Sequence, residues 1–132
     1  MTKAMKLVLA AVTTFAAGAA SAAPPFNIVG NWGILGNQSA GQLIVAAQGA
    51  AGTCRAISGT VYGQPMQGIY CPSTGRIQFL RKNPASNDTF QVFTGNVGDA
   101  IAGLPLRMAG TFTSQNAAIG GALGEYNFNA NK

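Results

Sequence analysis

Eight short runs of β-branched and aromatic residues, each closed by a cluster of turn formers, constrain what this chain can fold into. From Asn27 onward they fall near residues 30–35, 42–47, 54–61, 64–71, 76–82, 90–97, 106–113 and 123–130. Between them stand Gly36-Asn37-Gln38-Ser39, Pro72-Ser73-Thr74-Gly75 and similar clusters at 49–52, 83–88, 98–103 and 114–121, the residues that supply left-handed backbone and local side-chain hydrogen bonds. No stretch beyond the N-terminal segment carries a helical apolar stripe free of an interrupting glycine. The expected fold is all-β, an eight-stranded antiparallel up-and-down barrel, which closes on itself and leaves no sheet edge to protect. A two-sheet β-sandwich is the alternative.

The N-terminal segment has a different character. Lys3 and Lys6 precede an Ala-rich apolar run from Leu7 to Ala20, too short to span a bilayer stably, and Ala20-Ser21-Ala22 is a small-x-small cleavage site. Residues 1–22 are therefore expected to be a secretory signal peptide, and residues 23–132 a single β-barrel domain, secreted or periplasmic. Cleavage after Ala22 avoids placing Pro24 directly beyond the cut.

The two cysteines fit this scheme. If Tyr62-Gly63 is a two-residue turn, Val61 faces Gln64, and stepping outward brings Cys54 opposite Cys71 on a non-hydrogen-bonded pair, where Cα atoms are about 4.5 Å apart and a disulfide can close. The same count puts Pro65 opposite Thr60, where its missing N–H is harmless. An exported chain favours oxidation. The face that carries the bridge stays open: Cys54 shares a side with Ala56 and Ser58, which points outward unless a bulge intervenes.

In the last run Tyr126, Phe128 and Ala130 alternate with Asn127, Asn129 and Asn131, one face buried and one wet. A transmembrane barrel needs an apolar outer face and strands of about 9–11 residues, so no membrane span is expected in the mature chain.

Charge and residue inventory narrow the function. Removing the signal leaves six basic residues (Arg55, Arg76, Arg81, Lys82, Arg107 and Lys132) against Asp88, Asp99 and Glu125, a net charge of +3. Such scattered arginines do not make a nucleic-acid face. Histidine is absent, which removes Ser-His-Asp, Cys-His and His-metal chemistry. Asp88 and Asp99 read as solvated loop acids, with no spacing that pairs them across a cleft. The glycines join strands and open no helix, so they form no phosphate loop. No enzyme activity, no cofactor and no metal site are expected.

Binding remains, and small barrels bind in the mouth or lumen with aromatics and uncharged hydrogen-bonding groups. Trp32 either floors such a cavity or plugs one end of the barrel, the commoner role for a lone Trp in a first strand. Glu125 is the one acid inside a predicted strand, either a buried partner or a strand charge in water.

The order of short motifs resembles the avidin and streptavidin family of biotin-binding barrels. Gly30-Asn31-Trp32, Leu35-Gly36 and Leu43-Ile44-Val45 are similar to its first two strands, Ser58-Gly59-Thr60 to its third, Val92-Phe93-Thr94-Gly95-Asn96 to its sixth, and Gly124-Glu125-Tyr126-Asn127-Phe128 to its last. The resemblance implies an eight-stranded barrel with Phe93 lining the pocket and Glu125 at the family's ureido-binding aspartate. It departs at Ile34, Asn37 and Val61, where the family has Asn, Ser and Tyr, and the pocket tryptophans give way to Phe79, Leu80 and Met108. Losing several buried donors, worth about 1–3 kcal/mol each, leaves no expectation of tight biotin binding.

The resulting expectation is a non-enzymatic barrel that takes a small uncharged or weakly polar ligand at a site bordered by Trp32, Ile34, Asn37, Val61, Phe93 and Glu125. The alternative is a solid barrel acting as a structural or protein-interaction module, self-assembling or inhibiting a secreted enzyme. The partner is then an unidentified small molecule or protein, with a homo-oligomer compatible with either reading.

Overall fold

The computed structural model describes residues 22–83 and 89–132; the expected signal segment, apart from Ala22, and Asp88 lie outside them. Eight strands follow in order: β1 Gly30–Gly36, β2 Ser39–Gln48, β3 Arg55–Val61, β4 Gln64–Cys71, β5 Arg76–Lys82, β6 Thr89–Val97, β7 Arg107–Asn116 and β8 Gly121–Asn131. Each pairs antiparallel with the next and β8 returns to β1, closing an up-and-down barrel. The sandwich alternative is thereby excluded.

Turn chemistry fixes the register. Asn37 and Gln38 have φ of 44° and 69°, and Tyr62 and Gly63 have 50° and 73°, positive φ at both central residues as tight hairpins require. Val61 accordingly pairs with Gln64 and Thr60 with Pro65. The disulfide joins Cys54 to Cys71, with Cα atoms 4.0 Å apart. Cys71 follows the outward alternation of Gln67 and Ile69 while Tyr70 points inward, so the bridge lies on the outer wall. The one irregularity of β2 against β3 falls between Val45 and Ala47, away from the cysteine strand.

The lumen is filled. Trp32, Leu43, Val45, Val61, Tyr70, Ile77 and Phe93 are all 0% exposed, and no polar or charged residue is among the buried side chains described. One cross-strand row carries an aromatic on each of four strands: Phe79 pairs with Phe93, Phe93 with Phe112 and Phe112 with Tyr126. Because row partners project to the same side, Phe79 and Phe93 stack at 4.6 Å and Phe93 and Phe112 at 4.7 Å. Phe128 meets Phe93 edge-on at 5.4 Å, the arrangement ring quadrupoles favour. Gly68 makes room for this row, since a Cβ there would lie 2.6 Å from the Cα and Cβ of Phe79.

The outer wall is mixed: Gln67, Gln78, Asn96, Asn127 and Asn129 are exposed along it, and so are Leu35, Ile69 and Leu80. No helix among the described residues is long and apolar enough to cross a membrane.

Candidate functional site

The two ends of the barrel are built differently. The end bearing the β2–β3, β4–β5 and β6–β7 connections is sealed by residues 22–29. Ile28 inserts there with 0% exposure, and its carbonyl accepts a hydrogen bond from Trp32 Nε1 at 2.9 Å. Gln48 grips the same segment twice: its Oε1 accepts from the Ile28 N–H at 3.0 Å and its Nε2 donates to the Phe26 carbonyl at 2.9 Å. The Tyr70 hydroxyl donates to the Pro25 carbonyl, and Arg55 lies over the Phe26 ring. Burial pushes the Tyr70 phenol up to about 12, because the phenolate would lose its hydration. Trp32 is thus part of a plug.

The opposite end is a cleft of about 410 Å³, within the size range of small-ligand sites. Its walls come from the row directly above the aromatic one, in which Arg81 pairs with Gln91, Gln91 with Ser114 and Ser114 with Gly124. Gly124 contributes no side chain, and the Tyr126 ring takes that place, since a Cβ there would lie 2.5 Å from the Tyr126 hydroxyl oxygen; Phe112 and Tyr126, 5.3 Å apart, form the floor. Tyr62 folds in from the β3–β4 turn. Its hydroxyl accepts from the Gly36 N–H at 2.9 Å and donates to the Ser39 carbonyl at 2.7 Å. Burial raises the Tyr62 phenol, against smaller opposing effects of the Gly36 hydrogen bond and the Arg81 charge.

Arg81 stands over the Tyr62 ring, its guanidinium carbon 5.5 Å from the centroid. Its Nε donates to the Val61 carbonyl at 3.1 Å and its Nη1 to Gln91 Oε1 at 2.9 Å. The site is therefore cationic, aromatic and rich in hydrogen-bond donors. Among its described residues there is no nucleophile–base pair, and among the described residues no three of His, Cys, Asp or Glu gather into a metal-ligating group.

The six residues expected to border a ligand site do not come together at this cleft. Trp32, Ile34, Val61 and Phe93, at 2% exposure or less, are packing residues of the lumen and present no surface. Asn37 lines the cleft. Glu125 is exposed on the outer wall, paired with Thr113, because it alternates with inward-pointing Tyr126. Tyr62, Arg81, Gln91 and Ser114 were not singled out by sequence. The signal for Arg81 was its spacing two residues from Phe79, which puts both on one face of β5.

No protein-family model matches the chain, and neither a curated protein nor a solved structure is significantly similar to it.

Proposed function

We propose that this chain is an exported, non-catalytic β-barrel that binds a small ligand in the cleft at its open end. The observation that carries this reading is the asymmetry of the two ends. A solid barrel serving only as a scaffold needs both ends packed, yet among the described residues the N-terminal segment seals one end while the other leaves aromatic surface beneath polar groups. The Cys54–Cys71 bridge suits an oxidising compartment, secreted or periplasmic, and the amide side chains exposed on the outer wall suit contact with water. The avidin-like order of motifs supports a shared architecture but no shared ligand, since of the positions it would assign Ile34, Val61 and Phe93 are core, Glu125 is outer wall and Asn37 alone lines the cleft.

A small-molecule fragment screen read by amide NMR tests the proposal. Shifts clustered at Gly36, Asn37, Ser114 and Tyr126, with Ile28 and the Trp32 indole unmoved, are expected; a screen that moves none of the cleft amides overturns it.

A second reading, a protein-interaction module, draws on the filled lumen and on Ile69 and Leu80, which are 43% and 39% exposed on neighbouring strands of the outer wall. Concentration-dependent self-association abolished by Leu80→Gln would favour it.

A further inference from the structure

We infer that the cleft selects small organic carboxylates, held by the Arg81 guanidinium with their apolar body on the Phe112 and Tyr126 floor. This rests on the mouth-binding reading and names its ligand class.

Arginine has five N–H donors in a planar fork. In Arg81 the Nε–H is used by the Val61 carbonyl and one Nη1–H by Gln91, which leaves three without a partner among the described residues. Those three include both N–H groups of Nη2 and one of Nη1, the set that can hold a carboxylate bidentately. The side chain is also pre-positioned: two hydrogen bonds and the Tyr62 ring fix it before any ligand arrives, so little rotamer freedom is lost on binding.

Nothing described in the cleft neutralises this charge. Of the two described acids, Asp99 lies in the β6–β7 connection at the sealed end and Glu125 faces outward from β8. The other polar groups of the cleft add donors: the Gln91 amide, whose oxygen is already engaged by Arg81, offers its NH₂, and Ser114 offers a hydroxyl. A half-buried cation with unused donors above apolar rings is complementary to an anion that carries an apolar body. One guanidinium matches a carboxylate monoanion; a phosphate dianion would bring more charge and more acceptors than the cleft can answer. The sequence reading expected an uncharged ligand because it counted Arg81 among scattered basic residues and did not place it inside the barrel.

The test uses the mature protein and three matched probes, phenylacetate, phenylacetamide and phenyl phosphate, titrated with amide and arginine Nε–H NMR detection. Phenylacetate is expected to shift Arg81 Nε–H, Ser114 and Tyr126, and to bind about tenfold or more tightly than the amide, the factor a charge-assisted hydrogen bond supplies. Arg81→Gln should erase that preference and Arg81→Lys should retain part of it, with thermal melts verifying that both variants fold. The wild-type comparison stands even if neither does. Equal binding of acid and amide at the cleft overturns charge recognition while leaving the mouth reading intact, and tighter binding of phenyl phosphate overturns the carboxylate class. Cleft amides unmoved by all three probes overturn this inference, and the fragment screen then decides the mouth reading separately.

Discussion

The ring of Tyr62 occupies the space above Gly41 that a side chain would otherwise fill: a Cβ at Gly41 would lie 2.3 Å from two ring carbons of Tyr62. Gly41 is the inward partner of Ile34 on β2, the neighbour of β3, so the ring leans from the β3–β4 turn over the adjacent strands, with Arg81 above it. Gly41→Ala should evict the ring, break the Tyr62 bonds to Gly36 and Ser39, and destabilise the fold by about 1–3 kcal/mol, the usual range for overpacking. Urea unfolding measures this. An unchanged midpoint would show that the ring does not need that seat.

The aromatic row predicts a steeper loss. Phe93 stacks on Phe79 and Phe112 and meets Phe128 edge-on, so Phe93→Ala removes one ring and three ring contacts together. The expected loss is about 3–5 kcal/mol, read from the same unfolding curves. A loss below about 1 kcal/mol would mean that the lumen collapses around the gap or was never tightly packed.

The disulfide has a separable effect. Cys54 and Cys71 are 17 residues apart, and closing a loop of that length stabilises by about 3 kcal/mol in the chain-entropy model. Replacing both by serine should lower stability by that order without altering the β-sheet circular dichroism, because the β3–β4 register is independently set by the Tyr62-Gly63 turn.

Much of this was legible before any coordinates. Strand positions follow from alternation and turn residues, and the Val61–Gln64 register follows from one turn, because each is a local property of consecutive residues. What fills the lumen is not local. Phe79, Phe93, Phe112 and Tyr126 are far apart in sequence and become a stack through the stagger of four strands, so Phe93 read as a pocket lining when it is core. Glu125 shows the opposite lesson: motif order put it at a ligand site, whereas simple alternation with Tyr126 already pointed it outward. Tyr62 was counted as a turn residue, and its lean over the neighbouring strands depends on Gly41 of β2 and Gly36 of β1.

Alkaline pH should destabilise the barrel. The Tyr70 phenol titrates near 12 when folded against an ordinary value of 10, and Tyr62 is also raised. Between these values the unfolded state loses protons that the folded state keeps, so stability is intact below pH 10 and falls as pH rises from 10 toward 12. Phenolate absorbance should show Tyr62 and Tyr70 ionising above the ordinary tyrosine range. Tyr70→Phe should flatten the fall and also lose the hydrogen bond to Pro25, lowering stability at neutral pH.

The sealed end supplies the last prediction, and the single tryptophan reports it. Trp32 is shielded from water by Ile28, whose backbone it also holds through Nε1, and Gln48 is the side chain that ties Ile28 and Phe26 to the barrel. Gln48→Ala leaves the exposed Phe26 carbonyl to water and the part-buried Ile28 N–H without its partner, at a cost of about 1–3 kcal/mol if that N–H stays buried. The alternative open to the chain is to lift the segment into water, which uncovers the indole. Either way Trp32 should become more accessible to acrylamide quenching and its emission should move to the red, while the cleft at the far end, separated from it by the aromatic row, keeps its ligand response. Quenching indistinguishable from the parent protein would mean that Trp32 is sealed by the strands alone and that residues 22–29 are a covering layer without a plugging role.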